Sequence, residues 1–331
     1  MSENQKRILT GDRTTGKLHL GHYVGSLQNR VALQYDYDTF ILLADVQALT
    51  THFEHPELIQ GSILDVAMDN LSVGLDPERV TIFQQSQIHA IAEMTVFYSM
   101  LISVNTLRHN PTIKTEAANY GYSDLSYGFL GYPVSQAADI TFCKAELVPV
   151  GEDQLPHMEV ARKLVRRFND QYKTSILVEP YAKLSDTPRL PGLDGNAKMG
   201  KSLGNAIYLS DDADTVAKKV RSAVTDTNRI SVKIPGNPDV CMVSKYHQVF
   251  NPGEHENICS MCKNAQIGCV ACKKLLTEKL NGLMDPFREK RAYYEAHVDE
   301  VKDIIDTGSR KANEIGDETV RQMREAMSIL I

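Results

Sequence analysis

Tryptophan is missing from this 331-residue chain, although fourteen tyrosines are present. Also missing is any run of about eighteen apolar residues, so no membrane span is expected. The opening MSENQKR is polar with no apolar core behind it, which shows no signal peptide and leads us to expect a cytoplasmic protein. Positive charge is not in excess. The 36 Lys and Arg residues against 42 Asp and Glu give a net charge of −6, which argues against a nonspecific nucleic-acid binder. Six cysteines, five of them after residue 240, are not expected to form disulfides in a reducing compartment.

What is present, at 42% hydrophobic and 24% charged, suits two globular domains rather than one. The chain is organised around Thr10–Leu27, TGDRTTGKLHLGHYVGSL. Upstream, Arg7, Ile8 and Leu9 read as a strand end. Downstream, His22, Tyr23, Leu27 and Val31 begin a helical apolar spacing. Strand, Gly-rich turn and helix in succession set bare backbone and a helix N-terminus against a phosphate. This stretch is neither a dinucleotide fingerprint nor a Walker loop, since it lacks both GxGxxG and a closing GK[ST].

Farther along, Thr39–Ala44 is a continuous apolar run suited to a buried parallel strand. Asp45, Val46 and Gln47 follow at its C-terminal end, where open α/β sheets place ligand contacts. Pro56 to Gly74 has helical spacing, and Val80–Phe83 reads as the next strand. Ile91–Val104 is apolar on most sides, as a core or a subunit contact requires. Asn105–Tyr127 has few periodic apolar residues and reads as a loop-rich insertion at about residues 100–130. A helix over Leu130 to Phe142 places Tyr132, Gln136 and Asp139 on one face. Leu147–Val150 reads as a strand ending in Gly151, Glu152, Asp153 and Gln154, before a helix from Pro156. There Gly151 lets a ligand approach the backbone, while Asp153 suits either a ribose contact or a helix cap.

From Asp211 the pattern is helical only: Val216–Val224, Cys272–Met284, Phe287–Tyr294 and a long C-terminal helix through Ile304 and Met327. The expected fold is α/β, a Rossmann-type doubly wound parallel sheet with a C-terminal all-helical domain. The catalytic part would span 1–197, a hinge loop 198–205, and the helical part 206–331.

Two elements carry the chemistry. His19-Leu20-Gly21-His22 alone would be two partly exposed side chains or half a metal site. Lys198-Met199-Gly200-Lys201-Ser202, inside PGLDGNAKMGKSLGN, forms a mobile cationic loop suited to a triphosphate. Together they resemble the His-Ile-Gly-His and Lys-Met-Ser-Lys-Ser signatures of class I aminoacyl-tRNA synthetases. Leu20 stands for the isoleucine and Gly200 for the serine. The resemblance implies ATP as substrate with Mg²⁺, and catalytic roles for His19, His22, Lys198 and Lys201. Its implied ATP contacts are Gly11, Arg13, Thr14, Thr15, Gly21, His22, Gly151, Glu152, Asp153, Leu190, Lys198, Met199, Gly200, Lys201 and Ser202.

The stretches YPVSQAADI, VPVGEDQ and SAVTDTNR are similar to those of the bacterial tryptophanyl-tRNA synthetase family. That likeness implies L-tryptophan and tRNA(Trp) as partners and a homodimer with Ile91–Val104 and the insertion at its interface. It implies neither DNA nor membrane as partner, and an anticodon-binding role for 206–331. Asp139 would accept the indole N–H, a group with one donor and no acceptor, with Tyr132, Gln136 and Gln154 around it. A tyrosyl-tRNA synthetase is the close rival, since that family also uses a Gln and an Asp on this helix. A synthetase-like binding or regulatory protein is the other class, and charging of tRNA discriminates it. Arg162, Lys163, Arg166, Arg167, Lys273, Lys274, Arg288, Lys290 and Arg291 are candidate tRNA contacts. The absence of tryptophan is compatible with an enzyme made when tryptophan is scarce.

The remaining cluster is Cys259, Cys262, Cys269 and Cys272, spaced Cys-x2-Cys-x6-Cys-x2-Cys, with Cys241 nearby. So many thiols favour metal ligation over inert burial, which suits Cys143. Zinc would take four of the five. A branch of the tryptophanyl family carries a [4Fe–4S] cluster on Cys-x22-Cys-x6-Cys-x2-Cys, and IGCVACKKLL resembles it. The resemblance implies Cys241, Cys262, Cys269 and Cys272 as ligands with Cys259 spare, although here the first gap is twenty residues.

Overall fold

The computed structural model describes residues 5–184, 190–195, 199–200 and 203–330. Five strands among them, β1 (Arg7–Arg13), β2 (Asp38–Ala44), β3 (Val80–Gln84), β4 (Leu147–Val150) and β5 (Tyr181–Leu184), form one parallel sheet in the order β3-β2-β1-β4-β5. Strand β2 lies near the middle, and its residues from Thr39 to Ala44 are buried. Phe40, Leu42 and Ala44 join one hydrophobic cluster while Ile41 and Leu43 join the other. Both faces of this strand are therefore covered, which explains its unbroken apolar run.

Strand β1 pairs with β2 from Arg7↔Asp38 to Arg13↔Ala44, but its pairing with β4 is Ile8↔Leu147 alone. The two strands diverge toward their C-terminal ends, where the strand order reverses, and a crevice opens between them. Gly11 answers the opposite constraint. A Cβ there would stand 2.5 Å from the Leu42 carbonyl oxygen, so β2 approaches too closely for any side chain.

The helices are α1 (Leu20–His22), α2 (Gln28–Leu33), α3 (Asp45–His52), α4 (Pro56–Ser72), α5 (His89–Ser99), α6 (Val104–Arg108), α7 (Pro111–Tyr120), α8 (Tyr127–Thr141), α9 (Leu155–Gln171), α10 (Ala213–Ser222), α11 (Met242–Phe250), α12 (Pro252–Lys263), α13 (Cys269–Ala296) and α14 (Val298–Ala326). A π-helical turn, Tyr23–Leu27, joins α1 to α2. No described helix is long and apolar enough to cross a membrane.

Two expectations need correction. The insertion is largely helical. Asn110 caps α7 by accepting from the backbone N–H of Thr112 and Ile113, with Pro111 in the first turn. Its buried residues are Ile113 and Ala117 only, too thin a stripe to read as a period. The helices expected over Cys272–Met284 and Phe287–Tyr294 are one, α13, running through Pro286. Burial of Leu276, Leu280, Met284 and Phe287 along one stripe offsets the hydrogen bond that proline removes.

The hydrophobic packing does not stop at 198–205. One cluster joins Leu18, Leu20, Ile41 and Leu43 to Val216, Tyr246, Leu276 and Met284. The last helix returns to the sheet, where Ala312, Val320 and Met323 of α14 pack with Phe83 and Phe142. A Cβ on Gly308 would stand 1.9 Å from the Ile82 carbonyl oxygen, so α14 lies directly on β3.

Candidate active site

A cavity of about 360 Å³ fills the crevice between β1 and β4. It brings together Gly11 and Arg13 from β1, Tyr132, Gln136 and Asp139 from α8, and Gly151 and Gln154 from the turn after β4. The expected common face of α8 is thus turned into the cavity. Asp139 is 2% exposed and accepts from Gln85 Nε2 at 2.8 Å, while Gln85 Oε1 accepts from the Gln47 backbone N–H at 2.9 Å. Burial, against the opposing effect of the Gln85 bond, pushes the Asp139 carboxyl up to about 7. Arg13 donates to Thr50 Oγ1 at 3.5 Å and to Thr51. Its Nε is buried with no partner, as is Thr14 Oγ1. An unsatisfied guanidinium donor on the cavity wall suits a carboxylate or phosphate oxygen.

The histidines stand outside that cavity, in their own turn. His19 Nδ1 accepts from the Gly21 N–H at 3.1 Å, and His22 Nδ1 accepts from the His19 N–H at 3.2 Å. With both Nδ1 atoms accepting, the ring proton of each lies on Nε2. The rings lie 3.8 Å apart between centroids. Gly21 is required here, because a Cβ would stand 2.9 Å from the His19 ring.

This turn adjoins the lysine-loop region. The Leu20 N–H donates to the Ile207 carbonyl at 2.9 Å, and the Leu209 N–H to the Leu18 carbonyl at 3.0 Å. Met199 Sδ is 3.5 Å from where a Gly21 Cβ would lie. Gly200 N–H donates to Asn205 Oδ1 at 3.0 Å, and Asn205 Nδ2 to Asp194 Oδ1 at 2.9 Å. Lys198, Lys201 and Ser202 lie outside the described residues. Residues 195–202 also read GxxxxGKS, but among the described residues the next α-helix after them begins only at Ala213, so the strand–loop–helix context of a P-loop is missing. Leu190 and Met199 are buried in the cluster that holds Leu20. Thr15 closes a turn onto the Arg13 carbonyl, and Glu152 and Asp153 lie exposed in a short turn before α9.

Sequence reading missed Arg30, Glu116 and Gln85. Arg30 is 2% exposed and grips Asp12 at 2.5 and 3.0 Å, Asn70 Oδ1 at 3.0 Å and the Gly11 carbonyl at 3.1 Å, bracing the end of β1 from behind. A charge on the apolar side of α2, between Leu27 and Val31, was its available signal. Glu116 reaches the cavity from α7, and the insertion offered no periodicity from which to find it.

Among the described residues, no three His, Cys, Asp or Glu side chains are placed to hold a metal ion. The expected set Cys241, Cys262, Cys269 and Cys272 is therefore a neighbourhood rather than a formed site. Cys262 Sγ accepts from Arg229 Nη1 at 3.4 Å, and Cys259 Sγ contacts His255 Nε2 at 3.3 Å. The thiols nonetheless sense one another. Burial pushes Cys272 up to about 12, with Cys241, Cys262, Cys269 and Cys259 adding to the rise. The basic groups are also partly committed. Lys273 donates to the Arg221 and Ala223 carbonyls, each at 2.7 Å. Arg291 is 4% exposed and bound to Asp65 and Asp69, so it is not a surface tRNA contact.

Residues 1–285 match the family of class I tRNA synthetases for W and Y, and the chain belongs to that family. Its relatives narrow the class. It is 53% identical to the tryptophan–tRNA ligase of Streptococcus mutans over 97% of this chain and 98% of the relative. It is 50% identical to that of Lactococcus lactis over 97% of each. The tryptophanyl-tRNA synthetase of Campylobacter jejuni, solved as a complex with ADP and tryptophan, superposes with a TM-score of 0.87 at 28% identity. That match covers 97% of this chain and 99% of the other.

Proposed function

We propose that this chain is a tryptophan–tRNA ligase, which activates L-tryptophan with ATP and passes it to tRNA(Trp) in the cytoplasm. The observation that carries the reading is the cavity at the β1–β4 divergence, where Asp139, Gln136, Tyr132 and Gln154 line one space with Gly11 and Arg13. In the first step the tryptophan carboxylate attacks the α-phosphorus of ATP in line. A P–O bond forms, the bond to the bridging oxygen breaks, and pyrophosphate leaves. The nucleophile is already ionised, so the protein supplies positioning and phosphate neutralisation rather than a base. His19 and His22 donate through Nε2, while Lys198 and Lys201 close over the pyrophosphate, where Mg²⁺ would neutralise charge. Thr14, Thr15, Glu152 and Asp153 complete the nucleotide side. The terminal adenosine hydroxyl of tRNA then attacks the mixed anhydride. Pyrophosphate–ATP exchange should respond to tryptophan and to no other standard amino acid; a response to tyrosine would overturn the assignment.

Asp139 sets the indole end. Changing it to Ala should raise KM for tryptophan by about 30- to 150-fold, from the loss of a charged hydrogen bond of roughly 2–3 kcal/mol. Because burial holds its carboxyl up at about 7, KM for tryptophan should rise as pH falls from about 8 to about 6. Protonation replaces an acceptor with a donor facing the indole N–H. Asp139→Asn keeps an amide oxygen and cannot titrate, so its profile should be flat. An unaltered wild-type KM across that range would remove Asp139 from the pocket.

We assign the homodimer contact to the apolar surface of α5 and the insertion. There Val96, Met100 and Val104 are exposed beside a groove of about 460 Å³. A concentration-independent monomer in sedimentation would refute it.

The cysteine neighbourhood is proposed to hold a [4Fe–4S] cluster on Cys241, Cys262, Cys269 and Cys272. Support comes from the closeness of the five thiols, four of which add to the rise that burial causes in Cys272, and from the Arg229 guanidinium 3.4 Å from Cys262 Sγ, which opposes the burial that pushes that thiol up. Cys259 contacts His255 and Ser244 instead. The cluster would be structural, joining the 229–241 loop to α12 and α13. Anaerobically purified protein should be brown, and Cys241→Ser but not Cys259→Ser should bleach it. Colourless protein with one zinc per chain would replace the cluster by zinc on Cys259, Cys262, Cys269 and Cys272.

A further inference from the structure

Three carboxylates line the cavity between β1 and β4: Asp12, Asp139 and Glu116. Asp12 is committed to Arg30, which outweighs its burial and holds its carboxyl below the usual range. Asp139 lies deep on α8, bonded to Gln85. Glu116, half-buried on α7, accepts the Tyr132 hydroxyl at 2.8 Å and has no cationic partner among the described residues.

That hydrogen bond has a direction. His157 is 1% exposed, and burial pushes its imidazole down to about 4, so it is neutral. Its Nε2 lies 2.7 Å from the Tyr132 oxygen, and its Nδ1 is buried without a partner. A bare acceptor is the cheaper group to leave unpaired, which puts the proton on Nε2. His157 then donates to Tyr132, and Tyr132 donates to Glu116. The chain ends on an acceptor that bears full negative charge.

An amino acid carries its ammonium and carboxylate on one carbon, so their partners must adjoin. Arg13, Glu116 and Tyr132 line the same cavity, and both opposite charges act on the Tyr132 hydroxyl between the walls that carry them. We propose that Glu116 receives the α-ammonium group of the substrate amino acid, opposite Arg13 at its carboxylate, with Tyr132 as the positioning residue. The inference rests on the amino-acid-activating reading of this cavity and adds the group that selects an α-amino acid over an indole acid.

The test is pyrophosphate exchange and inhibition with the full chain. Glu116→Gln should raise KM for tryptophan by about 10- to 100-fold, as expected for losing a hydrogen bond to a charged group, with KM for ATP unchanged. Inhibition by tryptamine should weaken in parallel. Inhibition by indole-3-propionate, which has no amine, should stay the same. Glu116→Asp should recover part of the loss, and recovery separates the charge from the fold of α7. Equal weakening of indole-3-propionate, or an unchanged KM for tryptophan, would overturn the inference. Wild-type protein without tryptophan-dependent exchange would instead overturn the reading on which it rests.

Discussion

His22→Ala should lower kcat for adenylate formation by about 10²- to 10³-fold, the usual result of removing one donor aimed at charge that develops in the transition state. KM for tryptophan should hardly move, because the histidine turn lies outside the cavity that holds Asp139 and Glu116. The expected magnitude follows from how the ring is set. Its Nδ1 accepts from the His19 N–H, which leaves Nε2 as the protonated nitrogen, and the turn around it is pinned by Leu18 and Leu20 to residues 207–209. A donor fixed in advance needs no reorganisation when pyrophosphate begins to leave. His22→Gln places an amide donor near the former Nε2 and should regain part of the rate. An equal loss in both variants would trace the effect to the Nδ1 contact with His19, and a raised KM with unchanged kcat would make His22 a ground-state binder.

The sheet, its strand–helix alternation and the common face of Tyr132, Gln136 and Asp139 were legible because each rests on a local period. Thr39–Ala44 is apolar throughout because β2 is covered on both faces, and the α8 residues share a face because helical spacing requires it. Long-range pairings were not legible. Nothing local indicates that Gln85 meets Asp139, or that α14 lies against Ile82 after a separation of more than two hundred residues. Gly11 was read as backbone access for a nucleotide. Its close approach to Leu42 gives it a second requirement that only the sheet reveals. The stretches Cys272–Met284 and Phe287–Tyr294 read as two helices, yet one buried stripe carries α13 through Pro286 between them.

The charge of Arg291 was visible in the sequence, and its burial was not. Arg291→Ala should lower the free energy of unfolding by about 3–5 kcal/mol, measured as a fall in the urea midpoint. The side chain reaches from α13 to Asp65 and Asp69 on α4 and donates to Glu295 at 2.8 Å. Asp69 in turn accepts the Leu18 N–H at 2.7 Å, so this guanidinium ties the helical part to the residue just before His19. Removing it strands Asp69, which is fully buried, without its cation.

The effect should depend on pH in a defined direction. Burial, against the opposing charge of Arg291, pushes the Asp69 carboxyl up to about 6 from the ordinary aspartate range. The folded chain therefore keeps that proton where the unfolded chain has released it, and the group's contribution to stability falls as pH rises through this window. Without Arg291 the carboxyl climbs further, and the fall extends to higher pH. The difference between wild type and variant should widen between about pH 6 and pH 8. Asp69→Asn combined with Arg291→Ala should recover more than half the loss, since the amide oxygen still accepts from Leu18 and no buried charge is left unpaired. A single variant within about 1 kcal/mol of wild type at pH 8 would show the ion pair to be dispensable.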